Sequence, residues 1–173
     1  MDKWLASDET GEAFSHCLCC KVPLVEIDAQ WLVNKEFVRN ECVLEYAICQ
    51  PCRDHVTDQL SEESKEAVRS FLEKEIDWGE RMKEFMLSRE LVERFDSCIA
   101  CCAPRENLDG FGLSALFDSG GMIVAGPLPL LICQPCISRM TAPLSAESRE
   151  VWRKFMSDHF PGPPTDFGFP GLL

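Results

Sequence analysis

The pentapeptide Ile-Cys-Gln-Pro-Cys occurs twice in this chain, at residues 48–52 and again at residues 132–136. The similarity continues downstream at the same offset of 84, where residues 60–71 resemble residues 144–155. A repeat of this length indicates two copies of one structural unit, each folding around its own cysteine motif. The pattern therefore predicts two small, related modules in tandem.

Each copy also carries an upstream Cys-x-x-Cys pair, which the repeat aligns at an offset of 81. Two such pairs about thirty residues apart can surround one ion tetrahedrally, because the tight turn aims both sulfurs at one point. The sequence therefore predicts two structural four-cysteine sites and two zinc ions. The predicted metal ligands are Cys17, Cys20, Cys49 and Cys52 in the first copy, and Cys98, Cys101, Cys133 and Cys136 in the second.

The repeat also separates these eight residues from other possible ligands, because a true ligand should recur in both copies. Four residues have a non-ligating partner in the other copy, and one has no clear partner at all. They are Cys19 (aligned with Ala100), Cys102 (with Lys21), His55 (with Arg139), His16 (with Ser97) and Cys42. We expect all five to be surface or core residues.

Composition narrows the possible partners and the compartment. The net charge of −12 disfavours nucleic acid as a partner, because an acidic surface repels phosphate, and a protein partner is expected instead. Residues 1–16 are mostly polar, and the apolar run at 122–133 is short and interrupted by Gly and Pro. We therefore expect no leader peptide, no membrane span and a reducing cytoplasm, where clustered cysteines hold metals more often than they form disulfides.

Local patterns around the cysteine pairs predict an α+β fold. Residues 42–48 read as a strand, and residues 113–125 as a β-hairpin turning at Asp118 to Gly121. A helix is expected over residues 53–60, and Ser61 and Ser145 are expected to cap the helices that follow them. The apolar residues of these later helices, such as Phe71 and Phe155, are expected to lie in the core.

The predicted organisation has four parts. Residues 1–76 form the first zinc module and residues 98–160 the second, each ordered as knuckle, hairpin, knuckle and helices. Residues 77–97 form a helical connector, with Met82 and Phe95 on its apolar side. Residues 161–173 form a tail rich in Pro, Gly and Phe; such tails are usually disordered, but this one has enough apolar surface to dock on the body or on a partner.

Two resemblances follow from these motifs. A knuckle, a hairpin and a helix that begins at the second ligand pair resemble the treble-clef and zinc-ribbon folds. The sequence Glu45 to Cys52, followed by Leu60 to Ser64, also resembles small uncharacterised bacterial proteins with E-Y-A-I-C-x-x-C and L-S-x-E-S. The second copy departs from that pattern, because it has Pro129-Leu130-Leu131 in place of Glu45-Tyr46-Ala47.

Three functions are compatible with these patterns. The leading hypothesis is a non-catalytic, zinc-stabilised module for protein interaction, since four sulfurs close the coordination shell and no nucleophile with its base is evident. A rubredoxin-like iron protein is the second, although rubredoxin knuckles usually have Gly after each pair, where this chain has Lys21 and Cys102. Thiol–disulfide exchange is the third, because Cys-Gln-Pro-Cys resembles the thioredoxin motif.

Overall fold

The computed structural model describes residues 4–87, 91–124, 126 and 128–160, with only the backbone given for residues 84–87, 91 and 92. It is an α+β structure with one four-stranded antiparallel sheet in the order β2-β1-β3-β4. The strands are β1 (Trp31–Val38), β2 (Glu41–Cys49), β3 (Gly110–Phe117) and β4 (Leu130–Cys133). The helices are α1 (Gln50–Asp58), α2 (Glu62–Glu75), α3 (Trp78–Leu87), α4 (Gln134–Thr141) and α5 (Ala146–His159).

Strands β1 and β2 form a hairpin that ends at the first cysteine motif. The turn consists of Arg39 and Asn40, whose φ angles of 51° and 66° match the right-handed twist of the flanking strands. Trp31 pairs with Cys49 at the far end of the hairpin. The strand expected at residues 42–48 is therefore confirmed as part of β2, while the residues of its hairpin partner β1 were not predicted.

Strands β1 and β3 join the two halves of the chain at the centre of the sheet. Their register pairs Trp31 with Phe117 at one end and Phe37 with Phe111 at the other, and both pairs stack, with ring centroids 4.2 and 5.0 Å apart. Because both strands are central and covered on both sides, they carry long buried runs. The sheet is thus continuous across the two predicted modules.

Helices α2 and α5 meet at their N-terminal ends through a reciprocal set of serine hydrogen bonds. Ser61 and Ser145 cap their own helices, accepting from the N–H of Ser64 and Ser148 respectively, as predicted. Each also donates its backbone N–H across the contact, Ser61 to Ser148 Oγ and Ser145 to Ser64 Oγ, both at 3.0 Å. Ser64 and Ser148 are fully buried, so these bonds satisfy polar groups that would otherwise be orphaned.

The apolar faces of the later helices lie against the sheet, as expected. Phe155 of α5 is buried, and its ring lies 5.9 Å from that of Tyr46 on β2. Phe160, directly after α5, contacts the same tyrosine at 5.7 Å. Ile137 of α4 approaches Gly112 of β3, where an added Cβ would lie 3.5 Å from its side chain. Helix packing thus fixes where each second cysteine pair lies relative to the sheet.

Several local predictions need correction. The first helix begins at Gln50 rather than at residue 53, and the connector divides into α3 and a 3₁₀ turn at Leu91–Phe95. Phe95 is buried as expected, whereas Met82 is 43% exposed because it lies on the outer side of α3. The turn at 118–121 is present, but the strand after it is reduced to a single bridge between Phe117 and Ile123. Strand β3 pairs along its whole length with β1 and over four residues with β4. The predicted tail at 161–173 lies outside the described residues. Among the helices that are described, none has the length and apolar character needed to cross a bilayer.

Candidate metal centres

The first centre begins with the turn at residues 17–20. Within it, the N–H of Lys21 donates to the carbonyl of Cys17 at 3.0 Å, which closes the turn. The N–H of Leu18 donates to the carbonyl of Ala47 on β2 at 2.8 Å. The turn is therefore anchored to the strand that delivers the second cysteine pair.

The second pair of this centre lies at the junction of β2 and α1. Cys49 ends the strand and is the N-terminal cap of the helix, and Pro51 lies in the first turn, where its missing N–H leaves no bond unmade. The N–H of Cys49 points at the sulfur of Cys17, 3.4 Å away. Cys52 follows within the first helical turn, so Cys49 and Cys52 both face the turn at residues 17–20.

The second centre repeats this construction. The N–H of Cys102 donates to the carbonyl of Cys98 at 2.8 Å, and the N–H of Ile99 donates to the carbonyl of Leu131 on β4, also at 2.8 Å. The N–H of Cys133 points at the sulfur of Cys98 at 3.3 Å. Cys133 is the N-terminal cap of α4, as Cys49 is of α1.

The sulfurs of each predicted quartet lie together, all within 4.8 Å of one another. A tetrahedral ion with metal–sulfur bonds of 2.3 Å requires sulfurs about 3.8 Å apart. The Cys20–Cys49 and Cys101–Cys133 separations, 3.9 and 3.6 Å, are close to that value. All eleven cysteines are free thiols, so the quartets are not disulfide pairs. Two four-cysteine groups that could hold metal ions are therefore present where the sequence placed them.

The electrostatics of the quartets favour a bound cation. Burial raises the pKa of Cys133 to about 11 and also raises the pKa of Cys49, Cys52 and Cys136. The pKa of Cys17 is instead lowered to about 3, chiefly because the Cys19 thiol donates a hydrogen bond to it. The pKa of Cys101 is also lowered, since burial is outweighed by hydrogen bonds from the Ala103 N–H and from the neighbouring cysteines. Two thiols in each group therefore resist ionisation, and a divalent ion would remove that resistance.

The residue after each first pair has an unusual backbone. Lys21 and Cys102 have φ angles of 59° and 58°, in the left-handed region that favours glycine. Both turns therefore adopt the glycine-type conformation although their residues carry a Cβ.

The other cysteines lie outside the quartets, as the repeat predicted. Cys102 is exposed, and Cys42 lies half-buried on β2, where burial raises its pKa to about 12. Cys42 lies near Asp8 and Glu45, a third group with possible ligand atoms. The buried ammonium group of Lys35 occupies this group, since it forms ion pairs with both carboxylates, and a metal cation has no place beside it.

Sequence reasoning missed one feature beside the first centre. His55 and His159 line the same groove next to Cys19 and Cys52, although they are far apart in sequence. A signal was available in the repeat, because these two histidines align with Arg139 and Glu75 of the other copy. That exchange of two oppositely charged residues for two histidines marks a surface on which the halves differ.

Comparisons of the chain with protein-family models, with curated proteins and with solved structures give no match. The evidence for function therefore lies in the chain's own residues. Two groups of four convergent cysteines lie at equivalent positions of one shared sheet.

Proposed function

We propose that the chain binds two zinc ions as structural centres and acts as a non-catalytic module that binds another protein. The supporting observation is that each quartet brings four sulfurs to one point. Four protein ligands fill a tetrahedral shell and leave no position for water or substrate, whereas catalytic zinc keeps one position open. The ligands are the eight predicted cysteines.

The order of elements supports a treble-clef-like unit in each half, produced by duplication. In the first half, a cysteine turn is followed by the β1–β2 hairpin and by a helix that starts at the second pair. The second half has the same order with β3, β4 and α4. We place the modules at residues 1–76 and 98–160, linked by residues 77–97.

Thiol–disulfide exchange has less support. The first cysteine of each Cys-Gln-Pro-Cys motif is only 2% exposed, and the pKa of Cys49 is raised by burial. A catalytic thiol needs access to its substrate and a lowered pKa. The eleven free thiols instead support a reducing compartment such as the cytoplasm.

Iron is the second candidate metal, and one observation favours it. The N–H groups of Cys49 and Cys133 point at the sulfurs of Cys17 and Cys98, at 3.4 and 3.3 Å. Hydrogen bonds to sulfur tune the reduction potential of iron–thiolate sites. An iron-loaded chain would act in electron transfer.

Metal analysis of the purified chain tests the proposal. We expect about two zinc ions per chain and no visible absorption, with eight thiols becoming reactive only after a chelator is added. Visible absorption with stoichiometric iron would favour electron transfer instead. Absence of metal, combined with turnover in insulin-disulfide reduction, would favour the exchange activity and contradict the structural role.

A further inference from the structure

Helices α1 and α5 border a groove directly beside the first four-cysteine group. Its volume is about 380 Å³, and its lining is mainly apolar, with Val56 and Phe155 among the wall residues. His55 and His159 lie on its rim, and Cys52 links it to the first metal centre. The groove lies between the two halves of the sequence, since α1 belongs to the first copy and α5 to the second.

The aligned surface in the other half, between α4 and α2, is covered. Arg139 forms an ion pair with Glu75 at 2.6 Å and lies over the ring of Phe71 at 5.5 Å. Met140, the residue aligned with Val56, is buried, with 4% exposure. Helix α4 accordingly packs more closely on α2 than α1 packs on α5.

The open groove results from a few aligned positions. Val56 is shorter than the aligned Met140, and the histidines at 55 and 159 replace the residues of the Arg139–Glu75 ion pair. Apolar walls that no described side chain covers favour an apolar occupant, since each Å² removed from water contributes roughly 25 cal/mol. The groove is therefore suited to a partner with aromatic or aliphatic side chains.

The sequence that follows α5 has this chemistry. Residues 161–173 contain Phe167, Phe169 and two leucines but only one charged residue, Asp166. The segment starts two residues after His159, which ends α5 and lines the groove.

The segment is also long enough to cover the groove. The α5 wall, from Val151 to His159, extends about 12 Å at 1.5 Å per residue. An extended chain covers about 3.3 Å per residue, so thirteen residues can turn back and cross that wall. Four prolines in the segment lower the entropy lost on binding.

We propose that residues 161–173 bind within the same chain in the groove between α1 and α5, with a phenylalanine side chain against Val56 and Phe155. This inference does not depend on which metal is bound or on the interaction role.

Hydrogen–deuterium exchange of the metal-loaded full chain tests the proposal. The triple variant H55R/V56M/H159E gives the groove the side chains that close the other half. We expect the amides of residues 161–173 to exchange roughly tenfold more slowly in the unmodified chain than in this variant. Met82→Ser, an exposed change on α3, is the matched control and should leave the segment's exchange unchanged.

The reciprocal variant F167S/F169S keeps the test decisive if the triple variant does not fold. It should increase exchange in α1, residues 50–58, without changing the metal content measured by elemental analysis. The proposal is overturned if the segment in the unmodified chain exchanges as fast as a synthetic peptide of residues 161–173. It is also overturned if protection increases between two protein concentrations tenfold apart, because the occupant would then belong to a second copy.

Discussion

The two four-cysteine groups have the same backbone and different surroundings. Cys49 and Cys133 have φ and ψ angles within a degree or so of one another, −72° and 154° against −73° and 153°. The first group borders an open groove, whereas the Arg139–Glu75 ion pair occupies the aligned surface beside the second. Local hydrogen bonds therefore determine where the sulfurs lie, and the packing outside them can change without moving them.

The halves differ in the sheet as well. The strand registers align the two halves residue by residue. Asn34, Lys35 and Glu36 of β1 then correspond to Ser114, Ala115 and Leu116 of β3. Lys35 and Glu36 are 1% and 5% exposed. The first half thus buries ionisable groups where the second buries apolar ones, which makes its stability more sensitive to pH and to substitution.

Loss of a metal ligand should have the largest effect and compares the two centres directly. We expect Cys49→Ser and Cys133→Ser each to reduce bound metal from two ions to one. Structural zinc contributes on the order of 10 kcal/mol to folding, so each variant should lose at least several kcal/mol of unfolding free energy. The loss should be greater for Cys133→Ser, whose quartet includes the buried Cys136.

Elemental analysis and urea denaturation measure these effects. Cys102→Ser, which removes an exposed thiol outside both quartets, serves as the control and should retain two ions. Two bound ions in either ligand variant, or an unchanged urea midpoint, would contradict the assignment. Because β1 pairs with β3, each variant should also unfold in a single transition that includes both halves.

The buried carboxyl group of Glu36 should make the unfolding free energy depend on pH, and only the first half has such a group at this position. Neither carboxylate oxygen has a hydrogen-bond partner among the described residues, and burial raises the pKa of Glu36 from 4.5 to about 8. Because the folded-state pKa lies above the unfolded one, the stabilisation is complete below pH 4.5 and is lost as pH rises through 8. Between pH 6 and pH 9 the unfolding free energy should fall by about 3 kcal/mol.

Denaturation of the unmodified chain and of Glu36→Gln at both pH values measures this fall. Thiols also titrate at pH 9, so the difference between the two chains is the relevant quantity. Tyr46, which faces Glu36, has a pKa raised by burial and by that carboxylate, so it stays protonated over this range. Equal pH dependence in the two chains would show that Glu36 is not a buried acid.

Substitution of Lys35 tests whether its buried charge holds the N-terminal segment on the sheet. Its ammonium group donates to the carbonyl of Ala6 at 2.6 Å and pairs with Asp8 and with Glu45. Lys35→Ala, which installs the residue found at Ala115, leaves Asp8 without its cation. We expect a loss of about 2 kcal/mol and faster hydrogen exchange over residues 4–12.

The control for Lys35 is Lys83→Ala, because Lys83 forms an exposed ion pair with Glu80. Such pairs contribute less than about 1 kcal/mol, and exchange near the N-terminus should not change in this variant. If Lys35→Ala has an equally small effect, the buried ion pair does not hold the segment. The two halves then differ less in stability than the burial of Lys35 suggests.

Most of the candidate site was predictable, because it depends on local sequence. Cys-x-x-Cys spacing determines how two sulfurs converge, and the repeat identified which cysteines recur. The capping roles of Ser61 and Ser145 follow from their position before an amphipathic segment. Each of these features is set by residues within a few positions of one another.

The shared sheet was not predictable in the same way. Strand β1 carries Asn34, Lys35 and Glu36 in a row, a polar run that does not read as a buried strand. Its pairing with β3 joins residues about eighty positions apart, and the stacked Trp31–Phe117 and Phe37–Phe111 pairs favour that register only once the halves meet. The groove likewise arises from a contact between helices of different copies, which neither copy encodes alone.

The smallest predicted effect concerns what the two centres share. Lys21 and Cys102 both hold left-handed backbone, which costs a residue with a Cβ about 1 to 2 kcal/mol. Glycine removes this strain but loses more entropy on folding, so Lys21→Gly and Cys102→Gly should each stabilise the chain by about 0.5 to 1 kcal/mol. Urea denaturation measures the gain, and Lys21→Ala, which keeps the Cβ, should show none. Similar gains at both positions would mean that the two turns are strained alike despite their different surroundings. A gain at only one would mean that the packing outside the quartets reaches the backbone that positions the sulfurs.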